Sequence, residues 1–150
     1  MKDDPSTIID HYGNVKFWLY IAPDSRVPSV LDFENKEARD NLINPNEVVI
    51  KDEKITMVIS YPLSVEFSVI LEKKGGFTRL DVFKNIYEAY KRIYEEEERE
   101  VGDPGTYDNL YNRKQSEGKY GIWGHYLEEL VIESVSYDPK EKILDMFIGS

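Results

Sequence analysis

From residue 77 the apolar positions step by three and four. Leu80, Phe83, Ile86, Tyr87, Tyr90, Ile93 and Tyr94 fall on one stripe of an α-helix, which must lie on something apolar. Thr78 is a natural N-cap, and Asp81 three residues on completes an acidic capping box. Phe77 before the cap is placed to staple onto Val82. The pattern predicts one long amphipathic helix from Arg79 to Glu98.

Elsewhere the period is two. Residues 14–22 (NVKFWLYIA) read as a first strand, rich in aromatic and branched side chains. Residues 24–46 contain Pro28 and Pro45 and read as loop, with a short helix at ENKEARDNLI. EVVIKDEKITMVIS reads as strand, tight turn at Asp52–Glu53, strand, and Pro62 then interrupts the pattern. In VEFSVILEK, Val65, Phe67, Val69 and Leu71 alternate onto one face. LEELVIESVSY and KILDMFIGS flank DPKE, which argues a closing β-hairpin. The fold class expected is α+β: a single domain over residues 1–150, a mostly antiparallel sheet packed by one long helix, and a C-terminal hairpin. At this length folding buries about 70 % of the unfolded surface, enough for one core.

The helix ends against its own electrostatics. Glu95 to Glu98 and Glu100 crowd a carboxyl terminus whose dipole favours cations. Either the last turn frays into solvent, which is the reading preferred here, or something positive covers it, such as a basic partner.

Charge and composition narrow the chemistry. The net charge of −10 argues against direct nucleic-acid binding and suits a basic protein partner better. Lys73, Lys74, Arg79, Lys84, Lys91 and Arg92 are interleaved with Glu72, Asp81 and Glu88, so they read as an ordinary solvated face. Without cysteine there are no disulfides, thiolate metal sites or cysteine nucleophiles. MKDDPST lacks the apolar core of a signal peptide and FWLYIA is too short to span a bilayer, so a soluble, intracellular, cytoplasmic protein with no membrane contact is expected. Eleven tyrosines supply ring surface of the kind used at interfaces, and an exposed strand edge could pair two copies into a homo-oligomer.

One stretch, SEGKYGIWGHYLEEL, concentrates the candidate chemistry. Gly118, Gly121 and Gly124 recur at spacing three around Tyr120, Trp123 and His125. A phosphate loop would need a helix start after the glycines, and a strand is expected there instead. A catalytic site would use His125 as general base, oriented by Asp108, Glu128 or Glu129, with Asn112, Arg113 and Tyr120 near a substrate. No nucleophile is marked, and His11 and His125 show no metal-ligand spacing, so neither a metal nor a cofactor is expected. The structural reading accounts for more residues: glycines for positive φ or close approach, Tyr120, Ile122 and Trp123 as bulk over one end of the core, His125 and Arg113 bonded to loop carbonyls. It expects a buried Trp123 whose indole N–H finds a carbonyl. The residues held open for ligand binding are Asn112, Arg113, Tyr120, Trp123 and His125.

SYPLS, GFTRLDVFKNIYEAYKRIYEEEE and LYNRKQSEGKYGIWGHYLEEL resemble an uncharacterised family found in eukaryotes and in large DNA viruses of amoebae, the Marseillevirus group among them. The resemblance covers about residues 60–135, with YGIWGH its most specific element. Its pattern has an aspartate after the histidine where this chain has Tyr126, so no acid role carries over to that position. What it implies is a viral setting, with a cytoplasmic protein packaged in the particle. The function expected is therefore a non-enzymatic structural or interaction protein, with two alternatives: a small enzyme or ligand-binding domain at the glycine-rich loop, or an acidic docking module for basic proteins.

Overall fold

A computed structural model describes residues 6–19, 27–108 and 112–150. Eight strands, β1 (Thr7–Ile9), β2 (Val15–Phe17), β3 (Val48–Ile50), β4 (Lys54–Ile59), β5 (Phe67–Glu72), β6 (Phe77–Thr78), β7 (Val131–Asp138) and β8 (Ile143–Gly149), accompany a short helix α1 (Lys36–Asp40) and a long one, α2 (Arg79–Val101). Six strands make one sheet in the order β1-β2-β7-β8-β4-β5, and β3 and β6 make a second. All pairings are antiparallel except β4 with β8. This is the expected α+β arrangement, closed by the β7–β8 hairpin.

Helix α2 starts where its cap residues place it. Thr78 Oγ1 accepts from Asp81 N–H, and Asp81 accepts in return from Thr78 N–H. Phe77 and Val82, the staple pair, are both buried. The stripe Val82, Phe83, Ile86, Tyr90, Ile93 and Tyr94 is buried together with Ile55, Met57, Ile59, Val135 and Leu144 from the sheet. On the opposite face of that sheet Ile70, Glu72, Asp145 and Phe147 are exposed.

Several expectations need correction. The first strand reduces to Val15–Phe17, preceded by β1, with which it forms a hairpin; residues 20–22 lie outside the described residues. The turn at Asp52–Glu53 does not fold β3 back on β4. β3 pairs β6 instead, and Gly76 beside that pairing comes so close that a Cβ there would stand 2.3 Å from Ile50 O. Val65 is exposed and precedes β5, leaving Phe67, Val69 and Leu71 as the half-buried alternation.

Arg79 is the largest reversal. Expected on a solvated face, it is fully buried at the first position of α2. Its guanidinium donates to the carbonyls of Trp18, Ile43, Asn44 and Ser6, to Thr7 Oγ1 and to Glu47 Oε1 at 2.8 Å. A planar five-donor fork can satisfy that many acceptors at once, and it ties the first strands to the helix start.

Candidate functional site

The glycine-rich stretch wraps the carboxyl end of α2, and the helix end does not fray: it runs on to Val101. Glu97 follows Tyr90, Ile93 and Tyr94 on the buried stripe and is itself fully buried. Its carboxylate accepts from Ser116 Oγ at 2.5 Å, from Tyr120 N–H at 2.8 Å and from Ile122 N–H at 3.2 Å. Glu100 accepts from Lys119 N–H at 2.7 Å, and Glu96 accepts from the Tyr120 hydroxyl at 2.5 Å. Three of the acids that oppose the helix dipole, Glu96, Glu97 and Glu100, are thus hydrogen-bonded by backbone and hydroxyl donors of a loop that arrives later in the chain.

Electrostatics follow the geometry. Burial pushes the Glu97 carboxyl up, but the donors from Ser116 and from the backbone of Tyr120, Ile122 and Gly121 outweigh it, holding the group below the ordinary glutamate value. The Tyr120 hydroxyl is pushed up to about 12 by burial and by Glu96.

Two of the three glycines of the stretch, Gly118 and Gly121, have distinct parts. At Gly118 a Cβ would meet Glu97 Oε1 at 2.5 Å and Glu100 Oε1 at 2.8 Å, so the carboxylates occupy the space of a side chain. Gly121 has φ +58° and lies against Ser64, whose hydroxyl donates to Gly121 O at 2.7 Å. The Trp123 N–H donates to Pro62 O at 3.0 Å, which fastens the loop to the turn after β4.

The five sequence-predicted site residues do not converge. Tyr120 is buried, with its ring edge-on to Phe67 at 5.4 Å. Arg113 is buried too, its guanidinium 5.6 Å from the ring centroids of both Tyr94 and Tyr126 and donating to Ile122 O at 2.9 Å. Its Nε and Nη2 find no hydrogen-bond partner among the described residues. Asn112 is exposed. Only Trp123 and His125 come together, with ring centroids 6.3 Å apart and Tyr61 edge-on to the indole at 5.3 Å. Trp123 is 40 % exposed, against the buried indole expected: its backbone is the anchor, and its ring projects.

His125 bonds side chains rather than the expected loop carbonyls. Nδ1 lies 3.2 Å from Glu129 Oε1, and Nε2 lies 3.1 Å from Ser150 Oγ. Of the orienting acids considered, the structure brings Glu129 to the ring. Ser150 carried no signal, since nothing in its neighbourhood marks a nucleophile and it lies 25 residues from the histidine. Glu97 did carry one: it continues the stripe that ends at Tyr94. Among the described residues no group of three or more histidine or acidic side chains is placed to hold a metal ion, and no helix is long and apolar enough to cross a membrane.

No family model matches the chain, and neither the curated proteins nor the solved structures contain a match.

Proposed function

We propose that this chain is a non-enzymatic protein-interaction domain that docks a basic partner on the uncovered face of its six-stranded sheet. The observation that carries the reading is a row of apolar side chains on that face. Ile143 and Ile70 both lie beside Thr56 in register, and Phe147 follows on β8; Ile70 is 62 % and Phe147 63 % exposed. Exposed large apolar groups sharing one face are the usual mark of a docking surface. Asp145 and Glu72 lie on the same face beside Lys16 and Lys54, and it is the overall charge of −10 that suits a partner with apolar anchors flanked by Lys or Arg. The buried loop contacts support it from the other side, since Tyr120 and the acids Glu96, Glu97 and Glu100 are bonded within the fold. The family resemblance adds a setting, a component of a viral particle, in which such a domain would assemble with other proteins.

Affinity capture with the wild-type chain and with an Ile70→Asp/Phe147→Asp pair tests the surface. The pair should lose its partner, and wild-type capture should weaken as salt rises. Capture indifferent to both changes removes the proposal. Mass spectrometry of purified particles tests the setting, which fails if the protein is missing from them.

A further inference from the structure

Beyond protein docking, the chain of contacts Ser150–His125–Glu129 has the connectivity of a nucleophilic relay, and we propose that Ser150 is a reactive serine that accepts acyl or phosphonyl groups. A carboxylate only accepts hydrogen bonds, so in the neutral ring the 3.2 Å contact to Glu129 Oε1 favours the proton on Nδ1. Nε2 is then the acceptor, and Ser150 Oγ–H donates to it at 3.1 Å. That is the tautomer a general base needs: its lone pair faces the hydroxyl it must deprotonate. Glu129 is itself held, since Oε1 also accepts from Tyr126 N–H at 3.2 Å at the start of the short turn Leu127–Glu129. The Tyr94 hydroxyl donates to His125 O at 2.9 Å and fixes the backbone beneath the ring. The nucleophile is exposed while the base is mostly covered, and the projecting Trp123 ring beside His125 offers an apolar seat for an aryl or acyl group.

In the reaction Ser150 Oγ attacks the carbonyl carbon of an activated ester, and its proton passes to His125 Nε2. The Oγ–C bond forms, the alkoxide or phenoxide leaves, and the imidazolium returns the proton to it. With a fluorophosphonate the Oγ–P bond forms and fluoride leaves. Donors to an oxyanion, worth about 10²–10³ in rate where they have been removed, are not part of the relay. The chemistry assigned is therefore covalent capture of activated electrophiles rather than rapid turnover.

Labelling the purified chain with a fluorophosphonate and mapping the adduct by mass spectrometry tests this. The adduct should sit on Ser150 and vanish in Ser150→Ala. His125→Gln should slow labelling on the order of a hundredfold, within the range a positioned base supplies. Glu129→Ala, which removes the acceptor on Nδ1 at a half-exposed position, should slow it about tenfold or more by releasing the ring's tautomer and orientation. Absence of an adduct at Ser150 overturns the proposal. So does labelling at an equal rate in folded Glu129→Ala, which would make Ser150 an ordinary surface hydroxyl. Neither result bears on the sheet-face reading, which is scored by partner capture.

Discussion

Replacing Glu97 by Gln changes one oxygen for an amide in the most enclosed part of the loop. The carboxylate takes two donors on Oε2, from Ser116 and Ile122, and one on Oε1, from Tyr120. A glutamine oxygen can serve the first pair, but its NH₂ then faces the Tyr120 N–H, and one buried donor is left without an acceptor. A buried unsatisfied donor costs about 1–3 kcal/mol, and the remaining bonds fall from charged to neutral strength. The expected loss is about 2–4 kcal/mol from a domain total of about 5–15 kcal/mol. At this chain length that lowers Tm by roughly 5–12 °C at neutral pH, read by calorimetry or circular dichroism. The pH dependence has a definite sign. Glu97 has its folded pKa depressed, so its contribution is fully present above the ordinary glutamate value of 4.5 and is lost as pH falls through the lower folded value. The gap between wild type and Glu97→Gln should therefore narrow in acid. A neutral-pH Tm within about 1 °C of wild type would show that the carboxylate does not hold the loop.

Two further substitutions separate structure from surface. Trp123→Ala should cost about 1–2 kcal/mol, below the 3–5 kcal/mol typical of a fully buried ring, because the indole is partly exposed and its anchor is a backbone N–H; thermal melting reads this, and a larger loss would mean the ring belongs to the core. Arg79→Met should cost about 3 kcal/mol or more, since it leaves the carbonyls of Trp18, Ile43 and Asn44 without their donor. Urea unfolding measures the loss, hydrogen exchange should rise first in β1 and β2, and a change under about 1 kcal/mol would contradict the packing argument.

How far the residues announced all this depended on the range of the forces involved. The α2 start was legible because capping is local: Thr78 and Asp81 are three residues apart and need nothing else. The β7–β8 hairpin was legible for the same reason, its strands joined by a short turn. β3 and β6 were not, because their pairing joins segments that the intervening β4–β5 hairpin separates, with Gly76 lying against Ile50. Charge misled twice. Arg79 and Glu97 looked like solvent-facing residues, yet each sits where backbone acceptors or donors converge from segments far along the chain. Only the helical spacing of Glu97 hinted at that. The Ser150–His125 contact is set by where β8 ends and had no local sign at all.

The strand order has a consequence for how the sheet can come into being. β1–β2 and β4–β5 occupy opposite flanks, and only β7 and β8 join them. A ribosome therefore releases both flanking hairpins before the strands that connect them exist. A lone two-stranded hairpin is marginal in water, so β1–β2 cannot persist as finished structure during that interval, whereas β4–β5 already has α2 to pack on. The central pairing must close over long sequence separations, which favours slow assembly after synthesis and leaves both unfinished flanks open to wrong partners in the meantime. Loss of the last hairpin would not trim this sheet but divide it.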